Sequence, residues 1–411
     1  MKYVIIGNSA AAIGTVEGIR QIDKSSPITI VSEEKYHTYS RPLISYYLNG
    51  KTDKEKIKYR PTSFYKDNNV ELLKGVEATK IDRKTKVVYT SKNQQIQYDK
   101  LMIATGSRPF VPPFRGLNSV EKVFTFYTMD DALKLEKALA KDKKVLIIGA
   151  GLIGLKCAEG IYDKVKEIYV VDKSHKVLSS VLDEEGSKIV KEHLEKKGIK
   201  FKLSAEITGF DKNTALFADG KNESFDILVM AVGVSPNVKI AKDAEIEVNR
   251  GILVDNQLRT SDINIYSAGD CSEGYDMLLK EKRVLALLPN AYLQGETAGK
   301  NMAGLEEEYS SGMPMNAVGF FGCHILSAGL YVGQSVSRKT PQLYKRLFFE
   351  DNYLKGFIMI GDCGRAGIYT SIIREKIPLT EIDFKLIVDK PQLIALNKTL
   401  LKKKLENGYG Y

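Results

Sequence analysis

Two stretches of the chain share one pattern of apolar and polar positions. A short run of β-branched residues gives way to a turn of small residues, and apolar residues then return at helical spacing. The first stretch reads YVIIGNSAAAIGTVEGIR: Val4 to Ile6 predict a buried strand, and the small residues after Gly7 open a helix. The second reads KKVLIIGAGLIGLKCAEGI, with a strand over Val145 to Ile148 and a helix after it. A further apolar run follows each stretch, Ile28 to Val31 leading to Glu33, and EIYVVDKS leading to Asp172. After Ser310 to Pro314 the pattern changes. AVGFFGCHILSAGLYVG and YKRLFFEDNYLKGFIMIGD predict strands, with a hairpin turn at Asp351–Asn352, and GIYTSIIREK predicts a helix. The last run, KPQLIALNKTLLKKKL, predicts an amphipathic helix over 390–405, with Leu393, Leu396, Leu400 and Leu401 on or near one stripe.

Composition narrows the classes. A chain of 411 residues suffices for two or three domains, and 43% hydrophobic content with 33 glycines fits a globular protein rich in turns. No apolar run is long enough to span a bilayer. The start, MKYVIIGNSAAAIG, imitates a signal peptide, but its apolar run is too short and cleavage would destroy the first turn. The four cysteines, Cys157, Cys271, Cys323 and Cys363, form no CxxC pair, which argues against a zinc site or a local redox disulfide. Reduced thiols in a cytoplasm are the expectation. The net charge of +10 is dispersed, with no arginine-rich arm, so nucleic acid is not an expected partner. A basic surface does suit an acidic protein.

The turns carry chemistry. Gly7, Ser9 and Ala12 occupy the glycine positions of a GxGxxG fingerprint. That fingerprint demands a tight turn, a small residue where backbone meets pyrophosphate, and close helix packing. The helix start would face the phosphates, and Glu33 stands where an acid holds a ribose hydroxyl. The second copy has all three glycines, Gly149, Gly151 and Gly154, followed by Asp172, an acid that favours NAD over NADP. Lys173 beside it leaves NADPH open. An ordinary strand–helix turn is the bland alternative for each copy. Two such units imply two dinucleotides, or a cofactor and a substrate. A flavin with a nicotinamide is the natural pair, since hydride passes between them.

Four further segments occur in a fixed order: LMIATGSRP (101–109), LVMAVGVSPN (228–237), TSDINIYSAGDCSE (260–273) and PNAYLQGETAGKN (289–301). With the two turns, they make residues 1 to about 300 resemble the two-dinucleotide-domain flavoproteins of the pyridine nucleotide–disulfide oxidoreductase superfamily. The resemblance implies an α/β fold with two Rossmann-like dinucleotide-binding domains, for FAD and NAD, plus a C-terminal α+β domain. It implies a discontinuous FAD domain (1–115 and 245–315), an inserted NAD domain (116–244), and a last domain (316–411) that covers the flavin and forms homodimers. Ala78, Thr105, Gly106, Pro289 and Gly233 join the fingerprint residues as implied cofactor contacts. Asp270 would accept hydrogen bonds from the ribityl chain, a plain turn residue being the alternative. The helix from Asn290 would aim its N-terminus at the flavin pyrimidine edge.

The stretch KYHTYSRPLISYYL (35–48) indicates the branch. Disulfide-reducing relatives carry a CxxxxC here, and peroxide-reducing relatives one cysteine at a place that falls on Leu43, where no thiol chemistry is available. The run resembles instead rubredoxin reductases, ferredoxin reductases and the flavin part of assimilatory nitrite reductases. This implies that Arg41 and Pro42 lie beside the isoalloxazine as catalytic candidates, Arg41 stabilising reduced flavin. The alternative for Arg41 is an ion pair with an acid such as Glu34. Tyr46, Tyr47 and Leu48 read as a packing face. Departures from the resemblance are Lys156, where many relatives have a glutamate near the nicotinamide, Tyr127 in place of an arginine touching FAD, Tyr46 in place of a lysine, and Leu288 near the place of a tryptophan. Cys323, His324 and Cys271 read as structural. The expected activity is NADH-dependent FAD oxidoreduction, passing electrons to a rubredoxin- or ferredoxin-type carrier or a partner subunit. The alternatives are an NADH oxidase that gives electrons to O2 and a non-catalytic nucleotide-binding subunit.

Overall fold

A computed structural model describes residues 1–398, 400 and 402. The chain divides into two compact units, one of residues 1–175 and 198–312, the other of residues 176–197 and 313–411.

The first unit contains two parallel five-stranded sheets built alike. In one, Tyr3–Ile6 lies between Ile28–Ser32 and Lys100–Ile103, with Val70–Lys74 and Ile265–Ser267 at the edges. In the other, Lys144–Ile148 lies between Glu167–Val171 and Ile227–Met230, with Ile199–Lys202 and Val123–Thr125 at the edges. In both, the strand that leads into the fingerprint turn, Tyr3–Ile6 or Lys144–Ile148, sits where the order reverses, the crevice in which doubly wound sheets bind ligands. The parallel central strands are buried on both faces, which accounts for their unbroken apolar runs. An antiparallel meander precedes Lys100–Ile103 in one half and Ile227–Met230 in the other, starting at Ala78–Asp82 and Ile207–Asp211. A two-stranded ribbon, Ser107–Pro109 against Val234–Pro236, joins the two halves.

Against the first sheet, the helices Ala10–Ile22 and Leu288–Met302 cross at very short range. A Cβ on Gly14 would fall 2.2 Å from the Tyr292 carbonyl oxygen, and one on Gly299 would fall 2.3 Å from that of Thr15. The strand before Asp270 is only three residues long, Ile265–Ser267, and Ile263 ahead of it lies on the surface at 66% exposure.

The second unit is an antiparallel sheet in the order Met315–Phe320, Cys323–Gly329, Tyr353–Gly361, Leu343–Glu350, Gln334–Lys339, with the helix Gly367–Arg374 packed on it. Asp351 and Asn352 both take positive φ, +52° and +66°, the conformation of a two-residue hairpin turn. The helix predicted over 390–405 is present only in its later part, where Lys398, Leu400 and Lys402 are helical. Lys390 and Gln392 around Pro391 are extended, Leu393–Ala395 is a single 3-10 turn, and Leu396 bridges to Ile382. Proline removes a donor and holds the preceding residue out of helical geometry. Thr399, Leu401 and residues 403–405 lie outside the described residues.

Candidate cofactor site

The two fingerprint turns have the same backbone. Gly7 and Gly149 take φ of +113° and +112°, and a Cβ at either would fall 2.1 or 2.2 Å from the carbonyl oxygen of Ala104 or Ala231. Only glycine fits both constraints. Ser9 and Gly151 then start the helices in extended conformation, with no side-chain cap and no acidic residue in the first turn. The leading N–H groups are thus available to an anion. A Cβ on Gly151 meets nothing within 4 Å, while one on Gly154 would fall 2.0 Å from the Gly149 carbonyl oxygen. At the equivalent place Ala12 is fully buried yet accommodates its methyl group. In the first copy, Gly14 and Gly18 further along the helix instead meet the backbone of Tyr292 and Glu296.

The acids after the second strands differ. Glu33 is exposed and pairs with Arg108 at 3.3 Å. Asp172 ties its own turn to the fingerprint turn of the neighbouring strand: Oδ2 accepts from Ala150 N–H at 2.6 Å and Oδ1 from Ser174 N–H at 2.7 Å. Thr105 donates to the Asn237 carbonyl at 2.6 Å, and Asn237 N–H donates to that of Gly106 at 2.9 Å, which clamps the end of the first sheet to the segment after the second. Gly106 and Gly233 both have positive φ and open space at Cβ. Ala78 opens its meander, half-buried against the cluster that contains Val76 and Ile81.

Asp270 is the centre of a polar cluster. Its carboxylate accepts from Ser107 Oγ at 3.0 Å and from Tyr127 OH at 3.4 Å, and those two hydroxyls are 2.6 Å apart. Burial pushes the Asp270 carboxyl above its usual range, against the opposing effects of Ser107, Arg41 and Tyr127. The Arg41 guanidinium lies over the Tyr127 ring, 4.8 Å from its centroid, and donates to the Tyr127 carbonyl at 3.3 Å. It also forms an ion pair with Glu34, so the ion-pair alternative for Arg41 is realised, within reach of Asp270. Pro42 stands exposed in the single 3-10 turn Arg41–Leu43. Pro289 is in the first turn of its helix, which starts at Leu288, two residues before Asn290. From that helix the buried Gln294 accepts from Gly269 N–H at 2.7 Å and so fixes the loop that bears Asp270.

These residues fit FAD. Beside the first turn, Tyr65 OH donates to Asn8 Oδ1 at 2.7 Å and lies 3.2 Å from Thr38 N–H. Among the described residues, Thr38 Oγ1 and His37 Nε2 are buried there without a hydrogen-bond partner, and buried polar atoms need one. A dinucleotide on the turn would supply it. Sequence reasoning missed Ser107 and Thr38 and noted Tyr127 only as a departure. Ser107 was inside a motif already in view, in the SRP run, but Tyr127 reaches Asp270 only through the fold.

Two fingerprint turns at switch points, with a buried acid cluster around Asp270 in the same unit, are the arrangement of a two-nucleotide oxidoreductase. The family described as pyridine nucleotide-disulphide oxidoreductase matches residues 1–295. An NADH oxidase of Methanocaldococcus jannaschii is 35% identical over 75% of this chain and 71% of its own length. An NADH-rubredoxin oxidoreductase of Clostridium acetobutylicum is 29% identical over 86% of each. Among solved structures, a NAD-dependent persulfide reductase from A. fulgidus aligns with a TM-score of 0.84 at 27% identity, covering 93% of this chain and 78% of that one. The chain belongs to the pyridine nucleotide-disulphide oxidoreductase family. It is an FAD-dependent NADH oxidoreductase.

Proposed function

We propose that this chain passes electrons from NADH to a separate one-electron carrier protein of rubredoxin or ferredoxin type, or to a partner subunit. The observation that carries the reading is Leu43. The segment that leads to the buried Asp270 cluster has a hydrocarbon where a relay would need sulfur. Of the cysteines in the same unit, Cys157 and Cys271 are fully buried, and burial raises both thiols, so neither is a nucleophile.

In this reading residues 1–115 and 245–315 hold FAD and 116–244 hold NADH. Gly7, Ser9 and Ala12 present the helix N–H groups to the FAD pyrophosphate. Glu33, Ala78, Thr105 and Gly106 line the rest, and Asp270 accepts ribityl hydroxyls. Pro289 sets the start of the helix at the flavin edge. Arg41 and Pro42 shape the flavin face, with Glu34 and the Tyr127 ring holding the guanidinium in place. Gly149, Gly151, Gly154, Asp172 and Gly233 seat the nicotinamide dinucleotide. Bound FAD supplies a centre that takes two electrons together and releases them singly. The protein's part is orientation and exclusion of water, which requires no acid or base for the hydride step.

Anaerobic reduction by NADH, followed by rapid mixing with oxidised rubredoxin or ferredoxin, tests the reading. Reoxidation at least about tenfold faster than in air-saturated buffer is expected. Reoxidation no faster with carrier than with air would overturn it. The second reading, an oxidase, has the M. jannaschii relative in its favour. Rapid stoichiometric NADH oxidation by air alone would select it.

A further inference from the structure

The helix Ile44–Leu48 directly follows the Arg41–Leu43 turn and packs on the second fingerprint helix, Leu152–Ile161. The approach is close: a Cβ on Gly160 would lie 3.1 Å from the Ser45 carbonyl oxygen. At this junction the Lys156 ammonium sits over the face of Tyr46, 4.0 Å from the ring centroid. It forms an ion pair with Glu159, whose side chain is 1% exposed, and Lys51 reaches the same carboxylate at 3.8 Å. The Lys156 side chain is itself only 12% exposed. A cation desolvated this far is costly unless aromatic and anionic partners hold it, and both are present.

Resting on the two-nucleotide reading above, we propose that Lys156 is an electrostatic positioning residue for electron transfer between the two halves. Its ammonium, held by Glu159 and the Tyr46 ring, puts a fixed positive charge where the nicotinamide-side helix meets the flavin-side segment. The chemistry gives that charge a use. When hydride leaves nicotinamide C4 and bonds to flavin N5, the electron pair moves with it. The nicotinamide gains a positive charge and the flavin side a negative one. A cation at the junction favours the charge arriving on the flavin and disfavours the one left on the nicotinamide. Glu159 sets how much of that field is felt, since it neutralises the ammonium in part. Lys156 therefore acts on the energetics of reduction and touches no reacting atom.

The test reads the bound flavin at equilibrium rather than turnover. FAD-loaded wild type, K156M, K156R and E159Q are each equilibrated anaerobically with a redox dye of known potential, and the oxidised and reduced fractions are read from absorbance. K156M keeps the length of the side chain and removes the charge, and its flavin equilibrium shifts about three- to tenfold toward the oxidised form. E159Q leaves the ammonium less neutralised and shifts it the other way. K156R stays near wild type. A merely structural role moves K156M and E159Q in the same direction or not at all, and either result overturns the proposal. If E159Q fails to fold, K156M against K156R decides, and equal values overturn it. A wild-type protein that retains no FAD, or whose flavin does not bleach with NADH, refutes the parent reading instead. Normal bleaching with unshifted variants removes Lys156 alone.

Discussion

Asp270 serves two opposed ends. A buried carboxylate is a good acceptor for ribityl hydroxyls, but burial raises its pKa, so the fold disfavours its charged form. The sign follows from linkage. Below the ordinary carboxylate range both folded and unfolded states are protonated and the group costs nothing. As pH rises through that range the unfolded state ionises first and stability falls, until the folded-state carboxyl has ionised too. The apoprotein of Asp270→Asn, which keeps acceptors for Ser107 and Tyr127, should therefore be more stable than wild-type apoprotein at neutral pH, by about 1 kcal/mol, and lack this acid-range dependence. The same variant should bind FAD about tenfold or more weakly. Thermal melts of apoprotein across pH and fluorescence titration with FAD check the two halves, and a variant that gains neither stability nor loses affinity removes Asp270 from the site. Asp172 has a comparable double duty, because it holds Ala150 N–H in the second turn. Asp172→Ala should weaken NADH by roughly 1–3 kcal/mol through the lost charged hydrogen bond, and unchanged affinity in an equilibrium titration would leave it a purely structural residue. The backbone of Gly149 was legible because it is set within its own turn. The role of Tyr127 was not, since its partners Ser107 and Asp270 are distant in sequence and only the fold joins them.

At the scale of elements, the crossing of Ala10–Ile22 with Leu288–Met302 holds the first turn and the Asp270 loop in register. Gly14 and Gly18 on one helix face backbone of the other, and Gly295 and Gly299 do so in return. A Cβ on Gly18 would lie 2.1 Å from the Glu296 carbonyl oxygen, a backbone atom that cannot swing aside. Gly18→Val should therefore push the helices apart, cost about 1–3 kcal/mol, and reduce FAD retained through purification. Ala12→Gly, at the fingerprint's own third position, should change stability by no more than about 1 kcal/mol. Melting curves and FAD-to-protein ratios compare them, and a Gly18→Val protein that keeps full FAD content contradicts the register argument. This crossing could be read from sequence only as two sets of small residues, because nothing local states that they meet. The paired sheets, in contrast, followed from buried parallel strands and their turns. Of the terminal helix predicted over 390–405 the later part is present at Lys398, Leu400 and Lys402, whereas the leucine stripe did not reveal that the earlier part is extended at Lys390 and tied through Leu396 to Ile382.

For the whole molecule, charge is the property most open to test. The chain carries 61 basic and 51 acidic residues, a net +10. Such a surplus steers an acidic partner toward the protein before any specific contact forms, and salt screens it over about 8–10 Å at physiological ionic strength. If an acidic rubredoxin or ferredoxin receives the electrons, the second-order rate of its reduction should fall about tenfold or more as salt rises from roughly 20 to 500 mM. Flavin reduction at saturating NADH follows binding and happens within one complex, so its rate should stay within about twofold over the same range. Oxygen is uncharged, and its reaction with reduced enzyme should be equally flat in salt. One stopped-flow series at several salt concentrations therefore separates the steps. A carrier rate that falls while the other two hold fixes the electron exit as an encounter between charged proteins. A carrier rate as flat as that of oxygen removes net charge from recognition and leaves the exit to contacts that neither the dispersed lysines nor the Leu43 segment specify.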